Sequence, residues 1–444
     1  MSASYPHVPR SSLLEGHVQG MRTDTYRFFL RSHRKHGDAL RLNGYNLLDF
    51  YSFTHPDALQ QILITDAETY SHGARWENII AMVGGDALIV KRGQDWQDRR
   101  QILLPYFQAR RIDTYVDSFV QTTRDYLRRH AAQGDHTVNI SRIMTHLTLV
   151  NISKALFAYN MGDEDIDQIG QAISACFDTA GRHIANPLSL PTWVPTPANL
   201  AFRRQLAVVD GLAARIIAHH QSGQHDSMLS GMMKADDFTT QELRDELVTM
   251  LLAGHDTTAT GLAWIWHLLA DRPEVVGQIR DEMRSVLKGD LPDMTNIREL
   301  EYTALVINEA LRLYPPVWGL SRYAEASGEI TGHDVPRGSQ MVLPFYVTHR
   351  DARWWGRPDD FNPDHFTQQA IANRPRHAYM PFGAGQRVCL GLQIAWVEII
   401  VILTTMLKYA IPDPVTPQSE IKPKILFNIR PETDIVMSFQ QDRL

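Results

Sequence analysis

Apolar residues crowd more than one face of the stretch Glu242–Ala270, where Leu247, Met250, Leu251, Leu252, Leu262, Trp264, Ile265 and Leu268 recur at helical spacings. A helix that is apolar all round runs through a core, so this stretch is predicted to be the longest helix. A second apolar run, Leu392–Met406, predicts another buried helix. Upstream, Tyr26–Gly37 mixes apolar and basic residues and predicts a surface helix. Ala39–Leu42 and Leu47–Phe53 are strand candidates around an Asn43-Gly44 turn. His55-Pro56 opens a helix over Asp57–Ile64. Arg75–Val90 is apolar but irregular, with Trp76, Ile79, Ile80, Met82 and Val83 before Gly84-Gly85. It is predicted as a loop, either packed on the surface or lying as a lid over an apolar pocket.

Helical patterns dominate from Asp113 to Ala158, for example over Ile140–Leu156. Asn186–Pro197 holds four prolines and must break helix between candidates at Ile166–Ile184 and Leu200–His219. Glu301–Leu313 is a further helix, and Ser339–Val347 and Ile425–Ile429 are strand-like. Repeats, low-complexity tracts and Ser/Gly linkers are absent, so residues 1–444 are expected to form one domain.

Composition narrows the classes. With 44 Lys+Arg against 50 Asp+Glu, overall charge makes no case for nucleic acid. Two cysteines, Cys176 and Cys389, exclude a disulfide scaffold and a Cys-rich metal knuckle, and suit a reducing, cytoplasmic compartment. Met1–Gly20 has no apolar h-region, so no signal peptide or membrane anchor is expected. Val388–Met406 approaches membrane-span length, but Gln393 and Glu398 interrupt it, which favours a buried helix.

The chemistry centres on Pro381–Gly391, which reads Phe382-x-x-Gly385-x-Arg387-x-Cys389-x-Gly391 within it. A metal-binding thiolate needs backbone N–H groups and a positive field to stay deprotonated. Gly383, Gly385 and Gly391 let the chain turn tightly beside a flat cofactor. The Leu392–Met406 helix presents its N-terminal dipole to the sulfur. A lone cysteine in a loop is more often a small buried hydrophobe, but five fixed residues in ten is a far more specific pattern. It resembles the haem-binding loop of the cytochrome P450 superfamily, the haem-thiolate monooxygenases.

That resemblance implies a mainly α fold with a small β lobe, the triangular prism of the superfamily. It also implies a haem b ligated by Cys389, with Phe382, Gly383, Arg387 and Gly391 beside it. Trp96-x-x-x-Arg100 matches the family's propionate pair, and an Arg fork suits a carboxylate. Arg322 matches a second propionate arginine and Arg387 a third. Arg99, Arg110 and Arg111 read as a solvated basic face, a docking surface for an acidic electron donor by the same resemblance.

Ala253-Gly254-His255-Asp256-Thr257 matches the family's oxygen-handling segment, about 130 residues before Cys389. The resemblance implies a locally opened helix with room for dioxygen at Ala253 and Gly254, Asp256 gating protons inward and Thr257 delivering them. Read without it, Thr257 is a hydroxyl bonded back to the carbonyl four residues earlier. Glu309-x-x-Arg312 matches a buried structural pair whose third member is usually an arginine. His365 stands at that place here, so an Arg312–His365 contact is expected.

The resemblance further implies substrate contacts from Trp76, Ile79, Met82, Leu252, Val317, Trp318, Val342 and Phe427. These side chains are apolar, so the expected substrate is a terpenoid, steroid, carotenoid or fatty acyl chain. Arg75 reads as an exposed loop cation. The implied reaction inserts one oxygen atom of O2 into that substrate. Electrons come from a separate ferredoxin or flavodoxin with an NAD(P)H-dependent reductase. Two other classes are a peroxide-using or isomerising haem-thiolate enzyme, which needs no Asp256–Thr257 relay, and a non-catalytic haem sensor or carrier.

Overall fold

The structure, a computed structural model, describes residues 4–441 apart from 13, 46–47, 133–136, 187–188, 236–237 and 426. Helix α1 (Val18–His36) bends at Asp24, whose φ of −157° is non-helical, and leads into antiparallel β1 (Ala39–Gly44) and β2 (Leu48–Phe53). Leu47, the expected start of the second strand, lies outside the described residues. Helix α2 (Pro56–Gln60) is capped by the His55 side chain. It continues as π-helix over Gln61–Thr65, where α-helix to Ile64 was expected.

After β3 (Tyr70–Ser71) comes α3 (Ala74–Gly84), where a loop was expected. The reason lies in the spacing of Trp76, Ile79, Ile80 and Val83, an i, i+3, i+4, i+7 stripe hidden by irregular neighbours. Gly73 and Gly85, with φ of +83° and +62°, stop the helix at both ends.

Helices α4 (Gly93–Leu103) and α5 (Ala109–Ala132) precede β4 (Thr137–Asn139), which divides the helical stretch expected over Asp113–Ala158 before α6 (Ile140–Phe157). The proline-rich segment separates α7 (Asp163–Ala185) from α8 (Pro197–Gln221), as its composition requires. Pro187, one of its four prolines, lies outside the described residues. Helix α9 (Met228–Lys234) is short. Helix α10 (Thr240–Ala270) starts at a capping box between Thr239 and Glu242 and runs 31 residues without a break. Its central position is visible in burial: Leu247, Val248, Leu251, Leu262, Trp264, Ile265 and Trp266 are fully enclosed. At Gly254 it is crossed by α6 so closely that a Cβ there would sit 2.8 Å from Ile152.

Helices α11 (Pro273–Leu287) and α12 (Glu301–Leu313) lead to β5 (Leu320–Ala324), the hairpin β6 (Gly328–Ile330) and β7 (His333–Val335), and β8 (Gln340–Leu343). The strand expected to reach Val347 stops because Pro344 cannot donate to a ladder. The chain turns instead into α13 (Phe345–Thr348), followed by α14 (Gln368–Ala372). Helix α15 (Leu392–Tyr409) is followed by β9 (Ala410–Pro414), β10 (Pro423–Ile425), β11 (Ile429–Pro431) and β12 (Val436–Gln441). Ile425–Ile429 was expected as one strand, but Ile425 ends β10 and pairs with Ile429, which starts β11; Leu426 lies outside the described residues.

Helices therefore dominate, with a five-stranded sheet ordered β1-β2-β8-β5-β3 and a three-stranded one ordered β4-β12-β9. This agrees with the expected mainly α fold with a small β lobe. Among the described residues α15 is the one helix long and apolar enough to cross a membrane, and 67% of that run is buried inside the protein. Glu398 in its middle hydrogen-bonds Asn151 of α6 at 3.0 Å, the environment of a core helix.

Candidate functional site

Cys389 ends a loop whose turns are made by Gly383 and Gly385, with φ of +75° and +74°. Only glycine fits at 385, where a Cβ would lie 2.1 Å from the Leu63 carbonyl oxygen. That close approach is made to the chain's own backbone. Cys389 N–H donates to the Phe382 carbonyl at 3.0 Å, and Gly391 is the N-cap of α15. The cysteine is exposed, and it lines a large cavity that runs into the protein. Burial pushes the thiol pKa up, while the Gly391 N–H and the Arg100 charge pull it back. The dipole of α15 acts in the same direction as these last two.

The cavity measures about 1090 Å³. One region of its wall is cationic through Arg100, Arg322 and Arg387, with Trp96 and His72 beside them. Arg387 lies 4.2 Å and Arg100 5.4 Å from the Trp96 ring, so the Trp-x-x-x-Arg pair and the cysteine loop meet. Burial pulls Arg322 and Arg387 down to about 10. Burial, with Arg322, Arg387 and Arg92 adding to it, pulls His72 to about 2, so its imidazole is neutral. Arg100, Arg322 and Arg387 form no ion pair among the described residues. Three desolvated guanidinium groups without a carboxylate partner form a receptor for an anionic ligand. Together with a cysteine sulfur facing the same space, they fit haem, which brings both an iron and two carboxylates.

Helix α10 supplies another wall through Leu252, Ala253, Gly254, Thr257 and Thr258. Thr257 Oγ1 donates to the Ala253 carbonyl at 2.8 Å and Thr258 Oγ1 to that of Gly254 at 3.0 Å. The helix shows no break where a local opening was expected. Asp256 is not in the cavity wall. Its carboxylate accepts from Asn428 and, at 3.2 Å, from Arg430 of β11, and Arg430 also reaches Ser174 at 2.8 Å and Asp178 at 3.3 Å on α7. Burial lowers the pKa of the neighbouring His255, whose Nδ1 contacts the Leu251 carbonyl at 2.7 Å.

Trp76, Ile79, Leu252, Val317, Trp318, Val342 and Phe427 line the cavity as expected. Met82 does not: one turn on from Ile79 at the flank of that stripe, it packs against the core. Trp76 stacks on His72 at 4.7 Å, and Phe427 on Phe177 at 4.6 Å. Arg75 is in the cavity wall, where it donates to the His183 carbonyl in the last turns of α7 at 2.6 Å.

Two further expectations change. Arg99 belongs to no solvated face: it is 8% exposed, donates to Glu242 at 2.8 Å and lies 3.6 Å from Glu246. Arg110 is exposed, and Arg111 pairs with Asp226 at 2.6 Å. Arg312 and His365 meet on the same oxygen, Glu309 Oε1, and no hydrogen bond is formed between them. Arg312 grips Glu309 through two nitrogens at 2.7 Å and donates to the carbonyls of His349, Pro358 and Asp360. His365 approaches Glu309 through Nδ1 at 3.1 Å and the Gly356 carbonyl through Nε2 at 2.7 Å.

His72, Arg430, Asn428 and the Glu398–Asn151 pair escaped the sequence reading. They are single residues far apart in the chain, and only the fold assembles them. The positive run Arg99-Arg100 concealed two opposite fates: one side chain enters a buried ion pair and the other the cavity.

A family model described as cytochrome P450 matches residues 6–432. Cyclooctatin synthase of Streptomyces melanosporofaciens is 31% identical over 372 residues, covering 82% of this chain and 80% of the relative. Cyclooctat-9-en-7-ol 5-monooxygenase of the same organism is 28% identical, covering 90% and 87%. Pentalenene oxygenase of Streptomyces avermitilis is 26% identical, covering 90% of each chain.

Proposed function

Because the chain belongs to the cytochrome P450 family and is a haem-dependent monooxygenase, we propose that Cys389 is the thiolate ligand of its haem, a haem b. Trp96, Arg100, His72, Arg322 and Arg387 then hold the carboxylates. The observation that carries this assignment is the opening of the Cys389 sulfur onto a cavity that also contains three unpaired, desolvated arginines. Bound haem supplies the activation of O2: one oxygen atom enters the substrate, and the other leaves as water with two protons and two electrons. Electrons arrive from a separate ferredoxin or flavodoxin with its NAD(P)H-dependent reductase, in the cytoplasm.

The residues of the chain bind, orient and exclude water. Thr257 would hold a proton at Oγ1 on the cavity side, where it now donates to the Ala253 carbonyl. Asp256, fixed by Asn428 and Arg430 outside the wall, would gate the passage of protons inward toward Thr257. Ala253, with little side-chain bulk, leaves space beside the helix, whereas Gly254 makes room for Ile152 of α6. Gly391 N–H and Arg100 favour the thiolate against the cost of its burial.

The apolar wall from Trp76, Ile79, Leu252, Val317, Trp318, Val342 and Phe427 selects an apolar substrate through burial of its surface, about 25 cal/mol per Å². A terpenoid is favoured over a steroid, carotenoid or fatty acyl chain because the names of two relatives specify cyclooctat-9-en-7-ol and pentalenene. A spectral-shift titration of the haem-loaded protein tests this with pentalenene, a diterpene alcohol, progesterone, β-carotene and lauric acid. The terpenoids are expected to shift the Soret band. A shift with the other compounds alone contradicts the substrate class.

A further inference from the structure

Three polar side chains on one face of α10 hold the segment that follows α3. Thr249 Oγ1 donates to the Gly84 carbonyl at 3.2 Å, Asp86 N–H to Asp245 Oδ2 at 2.9 Å, and Leu88 N–H to Glu246 Oε1 at 2.8 Å. The contact depends on both glycines. A Cβ on Gly84 would meet Thr249 Oγ1 at 2.5 Å, and one on Gly85 would meet the Asp245 carboxylate oxygens at 2.2 Å. Ile79, Val83 and Leu88 line the cavity, so this junction fixes one wall of the space in which substrate sits.

Glu246 is the unsettled member of the junction. It is fully buried, yet its Oε2 has no partner among the described residues, and neither has Arg99 Nη1. The Arg99 nitrogen stands 3.6 Å from Glu246 Oε1, just beyond a hydrogen bond. Arg99 is meanwhile bonded to Glu242 and lies over the Phe238 ring at 4.1 Å. The other charges facing Glu246 are Lys91, paired with Asp86, and Asp245, held by Arg244 and Gln241. Burial raises the Glu246 carboxyl to about 7, against the pull of Arg99, the Leu88 N–H and Lys91; Asp245 adds to the rise. A carboxyl and a guanidinium, each with a vacant bonding atom and separated by slightly more than a bond, have two arrangements available.

We propose that Glu246 is a positioning residue that couples proton uptake to the placement of the α3 wall. When the carboxylate is ionised, Arg99 closes onto it and the segment from Gly84 to Leu88 is drawn tight against α10. When the carboxyl takes a proton from water, the Arg99 contact stays open, the Leu88 bond weakens, and the wall loosens. Ligands large enough to touch α3 are then held less tightly, whatever their chemical class. This goes beyond the monooxygenase reading and does not depend on the identity of the substrate.

Amide hydrogen exchange of the haem-loaded protein, corrected for intrinsic rates, tests it directly at Asp86 and Leu88. Protection is expected to be about threefold greater at about pH 8 than at about pH 6. In Glu246→Gln, whose amide oxygen can still accept from Leu88, protection should not change with pH. Equal protection at both pH values in the unaltered protein, or a pH dependence surviving in Glu246→Gln, overturns the proposal. Should Glu246→Gln not fold, Thr249→Val provides a second arm. It should weaken protection of the segment at both pH values while leaving the pH dependence in place, and unaltered protection counts against the junction. As a ligand readout, 4-phenylpyridine affinity should follow the same pH course and pyridine affinity should not; parallel behaviour of the two overturns the link to the wall. Exchange is read without turnover, so failure of catalysis and failure of this proposal are distinguishable.

Discussion

His365 places Nδ1 3.1 Å from Glu309 Oε1, the carboxylate that Arg312 already grips with two nitrogens. The Asn362 N–H donates to the same oxygen at 2.7 Å. Burial alone would raise the Glu309 pKa, but these hydrogen bonds and the Arg312 charge lower it below the ordinary value. Arg312 and Glu309 are both 0% exposed, so removing one strands the other without water.

Glu309→Ala is therefore predicted to lose about 3–5 kcal/mol, the cost of an uncompensated buried charge. His365→Ala should lose only about 1 kcal/mol, because Arg312 and the Asn362 N–H remain on the carboxylate. Chemical denaturation of the two variants checks the difference, and equal losses would contradict this division of roles.

Arg322 is a buried cation and Arg387 a half-buried one, both without an ion-pair partner among the described residues. Arg322→Gln and Arg387→Gln are each predicted to weaken haem retention by at least about tenfold. The haem-free variants should melt at or above the temperature of the haem-free parent, since a buried charge has been removed. Haem titration and melting of both forms check the two signs together. A haem-free form that is destabilised would give these arginines a purely structural role.

Thr257→Ala is predicted to keep haem binding and substrate-induced spectra while diverting reducing equivalents to hydrogen peroxide, with product per NAD(P)H falling about tenfold. Thr257→Ser should restore most of the coupling. Peroxide and product measured in the same reaction check it. Unchanged coupling in the alanine variant would favour the peroxide-using class.

Glu398 makes stability pH-dependent. Burial raises its carboxyl from 4.5 to about 8, only partly offset by Asn151. A pKa raised in the folded state contributes stability that is complete below the unfolded value and is lost as pH rises toward the folded one. Stability should therefore fall between about pH 5 and about pH 8 by a few kcal/mol from this group. Glu398→Gln should flatten that limb and exceed the parent protein at alkaline pH. Denaturation curves across the range check the sign.

What could be read along the chain was what is local in the chain. The Phe382–Gly391 loop carries its ligand, its turns and the following helix N-terminus within ten residues, and α10 and α15 announce themselves by sustained apolar runs. Helix α3 was missed: the Trp76, Ile79, Ile80, Val83 spacing carries its signal, but irregular neighbours made the stretch read as a loop. Contacts between distant segments were not legible. Arg430 meets Asp256 and Asp178 only because the β10–β11 hairpin passes between α7 and α10, and Arg99 is buried only because Glu242 and Glu246 come to it. Met82 and Ile79 are equally apolar, and only the orientation of α3 sends one into the cavity and the other into the core.

The account rests on a single bond from the sulfur of Cys389 to the haem iron. Reduced, haem-loaded protein exposed to carbon monoxide should show the strongly red-shifted Soret band of thiolate ligation, and Cys389→His should replace it with the band of an imidazole-ligated haem. A parent protein that shows the imidazole-type band, or a Cys389→His variant that keeps the red-shifted one, would contradict the assignment.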